Sequence, residues 1–289
     1  MRANIPRYDM WSPDSLEEAL RALEADSDKS RPFAGGTDLM VLLEAGMLPP
    51  GRFMNIWGLE ELKGIQSAAD HVTIGALTTY AEIRENPLLR EEFGMLGEAA
   101  RETGALAIQN RGTLGGNIIN ASPAADTPPA LLVYDAEVEL VSLQGSRWVP
   151  YAEFHKGYKT TMCQQNELLR AVRVPRPSGV RQSYYRKVGT RKAQAISKVC
   201  IAATATMQGA IISDVRLAFG SVAPIPLRCT ATERVLRGKA ATPALIAAAR
   251  GALEGELAPI DDIRSTASYR LRVSSNLLAD WLGSLLPAT

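Results

Sequence analysis

The stretch Phe33-Ala34-Gly35-Gly36-Thr37-Asp38 is a glycine-rich turn, and a second such turn, Arg111-Gly112-Thr113-Leu114-Gly115-Gly116-Asn117, lies far along the chain. Each has adjacent glycines, a threonine hydroxyl and several backbone N–H groups that no bulky side chain hinders. Glycine has no Cβ and reaches positive φ at little cost, so such a backbone can curl closely around a diphosphate. One turn alone is as typical of a tight connection as of a phosphate site. The two together predict one dinucleotide held from two sides.

The length and composition are those of a globular protein with two domains. The 289 residues exceed the roughly 100–200 residues of a typical domain, and 46% of them are hydrophobic. Lysine plus arginine (32) balances aspartate plus glutamate (31), which predicts no nucleic-acid partner. No apolar run approaches the roughly 20 residues that span a bilayer, and the N-terminal stretch has no hydrophobic signal core. We therefore predict a cytoplasmic protein without a membrane span.

The sequence offers neither a metal-binding cluster nor a hydrolytic constellation. Cys163, Cys200 and Cys229 are scattered and form no CxxC motif, which predicts free thiols and no metal site. The two histidines, His71 and His155, accompany neither a G-x-S-x-G elbow nor an HExxH motif. We predict no catalytic acid, base or nucleophile in this chain.

The first turn lies where a predicted strand gives way to a predicted helix. Ser12 and Pro13 predict the start of a preceding helix. Further strands are predicted at residues 31–34, 52–57, 72–76, 138–141, 147–149, 167–174, 183–188, 199–208 and 215–220, and helices at 38–45, 90–107, from Thr242 onward and at 265–286. Thr79 and Glu82 have the spacing of a capping box. Pro175-Arg176-Pro177-Ser178-Gly179 breaks regular structure and marks the predicted domain boundary.

Neither glycine turn matches a common nucleotide-binding fingerprint. There is no G-x-G-x-x-G and no Gly-Lys-Ser/Thr. Asp126 follows the second turn and has two interpretations, a contact to a ribose hydroxyl or an N-cap before Pro128. Lys187 is either a solvated strand lysine or a group that senses a cofactor charge. The residues alone leave both alternatives open.

The chain resembles the FAD-binding (medium) subunits of the molybdenum hydroxylases, most closely the separate FAD-binding subunit of bacterial xanthine dehydrogenase. The residues that carry the resemblance are Ala34 to Asp38, Ile74-Gly75-Ala76 with Thr78-Thr79, Arg111 to Asn117 continuing to Asp126, Glu167 to Pro175, Leu217 to Pro224 with Arg228, and Ser268-Tyr269-Arg270. The double glycine motif is specific to this class of FAD-binding proteins. The Ala-Phe-Gly segment at 218–220, with the prolines that follow it, separates this family from other flavoproteins with the same first domain.

The resemblance implies an α+β fold. Residues 1–176 would form a two-part FAD-binding domain of the PCMH or vanillyl-alcohol-oxidase-like type, with subdomains 1–57 and 58–176. Residues 180–287 would form a C-terminal antiparallel sheet-and-helix domain of the CO dehydrogenase flavoprotein type. FAD would lie extended between the two parts of the first domain, with its diphosphate under both turns.

The resemblance also implies which residues contact FAD. They are Pro32, Phe33, Ala34, Gly35, Gly36, Thr37, Asp38 and Leu39 of the first turn, Thr113, Leu114, Gly115, Gly116 and Asn117 of the second, and Asp126, Leu169 and Lys187. Leu169 and Lys187 match positions near the isoalloxazine ring. Thr103 occupies a position where animal enzymes carry a phenylalanine beside the flavin.

The implied function is that of an oxidoreductase subunit which performs only the flavin half-reaction. Electrons would come from a large subunit with a molybdopterin cofactor, through the [2Fe-2S] clusters of a small subunit, to FAD and then to NAD+ or another acceptor. With these partner subunits, the resemblance implies a heterotrimer or a dimer of heterotrimers. Three alternatives remain: a hydroxylase of another substrate (nicotinate, an aldehyde or carbon monoxide), a stand-alone flavin reductase like the enolpyruvyl-sugar reductases, and a docking subunit without flavin.

Overall fold

A computed structural model describes residues 7–25 and 30–286 of the chain. The strands are β1 (Tyr8–Trp11), β2 (Ser30–Phe33), β3 (Gly51–Asn55), β4 (Ile65–Ser67), β5 (His71–Gly75), β6 (Glu137–Ser142), β7 (Gly145–Pro150), β8 (His155–Gly157), β9 (Thr160–Thr161), β10 (Leu168–Pro175), β11 (Gln182–Val188), β12 (Val199–Gln208), β13 (Ile211–Gly220), β14 (Leu227–Arg228) and β15 (Lys239–Ala240). The helices are α1 (Leu16–Ala25), α2 (Leu39–Glu44), α3 (Tyr80–Glu85), α4 (Pro87–Glu92), α5 (Gly94–Glu102), α6 (Leu106–Gln109), α7 (Leu114–Asn120), α8 (Pro128–Val133), α9 (Tyr151–Phe154), α10 (Thr230–Leu236), α11 (Pro243–Glu256) and α12 (Ala267–Gly283).

The first sheet is parallel and has the order β1-β3-β2. Parallel neighbours need a crossover, and α2 supplies it between β2 and β3. Helix α1 buries Ala19, Leu20 and Leu23 in the core beside this sheet, as their helical spacing predicts. The predicted N-cap at Ser12 is wrong, because α1 begins at Leu16 and the Ser15 hydroxyl accepts the Glu18 N–H (3.2 Å).

The second sheet is antiparallel, with the order β4-β5-β10-β6-β7. Helices α3 to α8 follow β5 in the chain, and α3, α4, α5, α7 and α8 share a hydrophobic core with this sheet. The helix predicted over 90–107 is wrong as a single element, since three helices, α4 to α6, divide the region. Phe93 leaves helical geometry after α4, and Gly104 adopts a φ of +60° between α5 and α6.

The third sheet is also antiparallel, with the order β11-β12-β13-β14, and β15 pairs with β13. The predicted last helix is confirmed as α12, which buries Leu278, Trp281 and Leu282 in the core of this part of the molecule. Helix α8 packs on β12 and β13, so that Ala202 and Ala218 belong to the core of the second sheet. The second and third sheets therefore share buried side chains.

The described residues hold no group of three or more His, Cys, Asp or Glu side chains that could bind a metal. The three cysteines are free thiols. Within the same part of the chain, no helix has both the length and the apolar character needed to cross a membrane.

Candidate functional site

A cavity of about 590 Å³ lies beside the first and second sheets, and both glycine turns line it. Strand β2 leads into the first turn at the point where α2 begins, and the second turn opens α7. Gly35, Gly36, Gly115 and Gly116 all belong to the cavity wall. The two turns that the sequence separates by about seventy-five residues therefore meet at one site.

The two turns pack against each other through their backbones. A Cβ atom on Gly35 would lie 1.7 Å from the carbonyl oxygen of Arg111, a distance that no side chain tolerates. Gly36 has a φ of +75°, and a Cβ there would lie 2.4 Å from the ring of Phe33. The glycines of the first turn are thus required by the packing of the turns themselves, before any ligand is considered.

The first turn presents a run of free backbone donors. Among the described residues, Gly35, Gly36, Thr37 and Asp38 have N–H groups with no hydrogen-bond acceptor. The carbonyls of the turn, by contrast, accept hydrogen bonds from the first residues of α2. Gly36 O, for example, accepts from the Met40 N–H at 2.9 Å. Successive unpaired N–H groups on a concave surface are a typical binding site for an anion.

The second turn uses its N–H groups internally. Gly115 N–H donates to the carbonyl of Ala76 (2.8 Å), and Gly116 N–H donates to the hydroxyl of Thr113 (3.1 Å), the N-cap of α7. A Cβ on Gly115 would also meet Ala76, at 2.6 Å from its Cβ. The expectation of free N–H groups in both turns is therefore wrong for the second turn, which is fixed against the end of β5.

The second turn contributes two features to the cavity, the exposed surface of Gly116 and the side-chain amide of Asn117. Gly116 is exposed and lines the cavity, and an added Cβ would approach only the Thr113 hydroxyl, at 2.9 Å. Asn117 accepts a hydrogen bond from the Thr127 hydroxyl (3.1 Å) through its amide oxygen. Its amide N–H groups have no partner within the described part of the chain.

Most of the predicted cofactor-binding residues line the cavity. They are Pro32, Ala34, Gly35, Gly36, Thr37, Asp38, Leu39, Thr113, Gly115, Gly116, Asn117 and Leu169. Phe33 and Leu114 lie behind this surface. The ring of Phe33 packs edge-on against Phe53, and Leu114 is fully buried in the core of the second sheet.

Asp126 and Lys187 are not brought to the cavity that the described residues enclose. They form a buried ion pair (Nζ to Oδ2, 2.7 Å) in which the lysine side chain is 4% exposed. The interpretation of Lys187 as a solvated strand lysine is therefore wrong. The interpretation of Asp126 as a helix N-cap is wrong as well, because Thr127 holds that position before α8.

The environment of Asp126 is polar on both carboxylate oxygens. The Ser197 hydroxyl donates to Oδ1 at 2.6 Å, while Lys187 holds Oδ2. Burial raises the pKa of the Asp126 carboxyl, and the Lys187 ammonium and the Ser197 hydroxyl act against that rise. Lys187 also donates to the carbonyl of Glu102 (2.7 Å), directly beside Thr103 on the cavity wall.

The far wall of the cavity comes from residues that the glycine motifs do not indicate. Its lining includes Thr161 at the end of β9, Cys163, Gln164 and Glu167 between β9 and β10, and Ile108 of α6. Burial and the nearby Glu167 charge raise the pKa of the Cys163 thiol to about 12, so the thiol stays protonated. Of these residues only Glu167 belongs to a segment that carries the family resemblance, and it directly precedes β10, which pairs with β5 and β6.

Two family matches together cover nearly the whole chain. Residues 6–177 match the FAD binding domain in molybdopterin dehydrogenase, and residues 183–285 match the CO dehydrogenase flavoprotein C-terminal domain. This chain belongs to the FAD-binding medium subunits of the molybdenum hydroxylases. The predicted family and the predicted α+β fold are confirmed.

Curated relatives of this medium subunit act in different enzymes. The chain is 33% identical to the glyceraldehyde dehydrogenase medium chain of Sulfolobus acidocaldarius, over 93% of this chain and 94% of the relative. It is 31% identical to a putative xanthine dehydrogenase FAD-binding subunit of Escherichia coli, over 90% of this chain and 89% of the relative. Among solved structures, a carbon monoxide dehydrogenase from Hydrogenophaga pseudoflava aligns with a TM-score of 0.93 and 27% identity, covering 98% of this chain and 99% of that chain.

Proposed function

We propose that this medium subunit binds FAD in the cavity between the two glycine turns and relays electrons from the [2Fe-2S] clusters of a partner subunit to NAD+ or another acceptor. The observation that carries the proposal is the run of four N–H groups from Gly35 to Asp38 on the cavity wall, which have no acceptor in the part of the chain that the structure describes. Relatives of the same length are FAD-binding or medium subunits of dehydrogenases, which supports the same role here.

The residues present fit the cofactor. The N–H groups of the first turn would hold diphosphate oxygens, and the Asn117 amide offers a further donor from the other side. The exposed face of Gly116 leaves room for the diphosphate. The apolar side chains of Ile108 and Leu169 suit a flat aromatic ring. FAD, when bound, supplies the hydride and single-electron chemistry, and the protein supplies position and access.

The polar side chains on this part of the cavity wall are engaged within the protein. The carboxylate of Glu167, on the cavity wall, is engaged by Arg147 through a bidentate contact (2.7 and 2.9 Å). The Cys163 thiol, kept neutral by burial, donates to the Gln164 and Glu167 carbonyls. Asp126 and Lys187 stay a prediction as cofactor contacts, and their place behind the wall at Glu102 is compatible with a part in the site.

The substrate belongs to the partner that carries the molybdenum cofactor. We propose a xanthine dehydrogenase-like holoenzyme, which the 31% identity to the Escherichia coli subunit supports. An aldehyde dehydrogenase is the second candidate, because a glyceraldehyde dehydrogenase medium chain shares 33% identity. We further propose a heterotrimer or its dimer, a cytoplasmic location, which the free thiols favour, and domains at 1–176 and 180–287.

Purification of the chain with its neighbouring subunits tests this function. We expect flavin absorption bands in the purified chain, co-purification with subunits containing molybdopterin and iron–sulfur clusters, and NAD+ reduction with xanthine. Turnover of glyceraldehyde but not xanthine would move the assignment to the second candidate. A chain that reconstitutes no flavin would refute the FAD proposal. A chain that remains alone and reduces an enol ether with NADPH would make it a stand-alone reductase.

A further inference from the structure

Residues 101–104, which we call the wall segment, comprise the last two residues of α5 and the first two residues after it, and they place Thr103 on the cavity. Carbonyl groups at a helix C-terminus have no partner within the helix and need donors from water, from side chains or from elsewhere in the backbone. Here all four carbonyls of the wall segment accept hydrogen bonds. The donors are Gln109 Nε2 to Arg101 O (2.9 Å) and to Thr103 O (3.2 Å), Lys187 Nζ to Glu102 O (2.7 Å), and the Gln194 N–H to Gly104 O (3.1 Å).

The first donor, Gln109, is a buried amide with every group engaged. Its side chain is in α6, and the residue is 3% exposed. While Nε2 spans two carbonyls of the wall segment, Oε1 accepts from Arg84 of α3 at 2.7 Å. Because one Nε2 group donates to both carbonyls, it fixes the spacing between Arg101 O and Thr103 O, whether or not Oε1 has a partner.

The second donor reaches the wall segment from the third sheet. Lys187 is in β11, and its ammonium divides its hydrogen bonds between Glu102 O and the carboxylate of Asp126. Ser197 holds the other carboxylate oxygen, which fixes the direction of the pair. A charged donor makes a stronger hydrogen bond to a carbonyl than a neutral one. The third sheet therefore contacts the wall segment through the buried ammonium of Lys187.

We propose that Gln109 and Lys187 are positioning residues for the cofactor, which hold the wall segment so that Thr103 keeps its place at the cavity. The inference rests on the proposed function, namely that FAD occupies this cavity. Both residues act through the backbone of 101–104 and neither needs to touch FAD. Loss of either donor would release carbonyls of the wall segment and let Thr103 move away from the cofactor.

The test uses the full chain, stripped of flavin and titrated with FAD, with flavin fluorescence and the midpoint potential of the bound flavin as readouts. Gln109→Glu keeps the acceptor for Arg84 but replaces both donors by a carboxylate oxygen. Lys187→Met keeps the aliphatic stem but removes the ammonium. We expect each variant to bind FAD about tenfold more weakly, which corresponds to about 1.4 kcal/mol, and to shift the potential.

Two control variants separate positioning from general stability. Arg84→Met removes the partner of Gln109 but leaves both of its donors in place. Arg216→Met removes another cation that joins the third sheet to the second, through Asp135 (2.8 Å). Both controls should lower the midpoint of thermal unfolding while FAD affinity and potential stay within about twofold of wild type.

A double variant tests whether Gln109 and Lys187 both act through the wall segment. Because both donors act on the same four residues, Gln109→Glu combined with Lys187→Met should cost clearly less than the product of the two single effects. Additive losses would overturn the inference, since they would mean that Lys187 acts on FAD independently of the wall segment. Unchanged FAD affinity in both single variants would also overturn it. A wild-type chain that binds no FAD would instead refute the proposed function.

Discussion

At the scale of single residues, the two glycine pairs have different tasks. Gly35 and Gly36 are confined by Arg111 and Phe33, so they make the turns fit each other. Gly116 is open towards the cavity and limited only by the Thr113 hydroxyl. A side chain at Gly35 should therefore damage the fold, while one at Gly116 should damage cofactor binding.

We predict that Gly116→Leu weakens FAD binding at least about tenfold, a cost of about 1.4 kcal/mol, while the chain stays folded. Equilibrium titration with FAD and thermal unfolding measure the two effects. Gly251→Leu is the matched control: it adds the same side chain at an exposed glycine of α11, where an added Cβ would meet no atom within 4 Å, and it lies outside the cavity wall. Full FAD affinity in Gly116→Leu would contradict the placement of the diphosphate.

His155 gives the molecule a pH-dependent stability. Burial lowers its pKa from the ordinary 6.5 to about 4, and the Tyr151 hydroxyl lies 2.9 Å from Nε2. The unfolded chain binds the proton more readily than the folded chain between these two values, so stability falls as the pH drops from 6.5 towards 4. We expect a loss of about 2 kcal/mol between pH 7 and pH 5, measured by urea unfolding. His155→Gln, which does not titrate, should show a smaller loss, and an equal loss would assign the effect elsewhere.

At the scale of elements, a buried arginine near the start of α12 connects this helix to the third sheet. Arg270 donates to the carbonyls of Lys198 and Ser221 (2.8 and 3.0 Å) and to the carboxylate of Asp262 (2.8 Å). Ser221 has a φ of +67°, a strained backbone for a residue other than glycine, and it follows β13 directly. The N-terminus of α12 thus holds the end of β13 and the start of β12 together.

We predict that Arg270→Met destabilises the chain by about 3 kcal/mol or more, because it leaves the carbonyls of Lys198 and Ser221 without this charged donor and removes one of the two arginines that bind Asp262. Arg264→Met is the control, since Arg264 binds the same Asp262 but is much more exposed. Chemical denaturation should show a loss below about 1 kcal/mol for the control. Equal losses in the two variants would mean that the carbonyl contacts of Arg270 contribute nothing.

Sequence patterns located the elements well where the signal is local. The capping box at Thr79 is confirmed, with the Glu82 carboxylate 2.7 Å from the Thr79 N–H. The broken helix over 90–107 was not predictable from its apolar residues, because the break depends on the positive φ of Gly104. The ion pair of Asp126 and Lys187 joins residues 61 positions apart, and no local pattern encodes such a contact. The family resemblance, rather than periodicity, predicted the α+β architecture, and most of the residues that it implies as cofactor contacts lie on the cavity wall.

At the scale of the whole molecule, the second and third sheets are joined by a common core and by ion pairs. Ala202 and Ala218 pack under α8, and Asp135 pairs with both Arg216 and Arg228 (2.8 Å each). Two units that share buried apolar contacts lose them together on unfolding. The described parts that carry these two sheets should therefore behave as one cooperative body.

We predict that far-UV circular dichroism and tryptophan fluorescence report a single urea transition with the same midpoint. Trp281 probes the third sheet and Trp148 probes the second. Asp135→Asn should lower both midpoints together, because it weakens the contact between the two sheets. Two separate transitions in the wild-type chain would show that the sheets unfold independently.

The backbone contact between Gly35 and Arg111 has a consequence for how quickly a ligand can be captured. Because the two turns rest on each other, the width of the gap between them is set by the folded chain and not by its contents. A preorganised gap requires little ordering on binding, so association should be limited by diffusion and alignment and not by loop closure. The same contact also couples sequence changes in the two turns. An insertion in either turn would displace the other, so a compensating change would have to arise about seventy-five residues away.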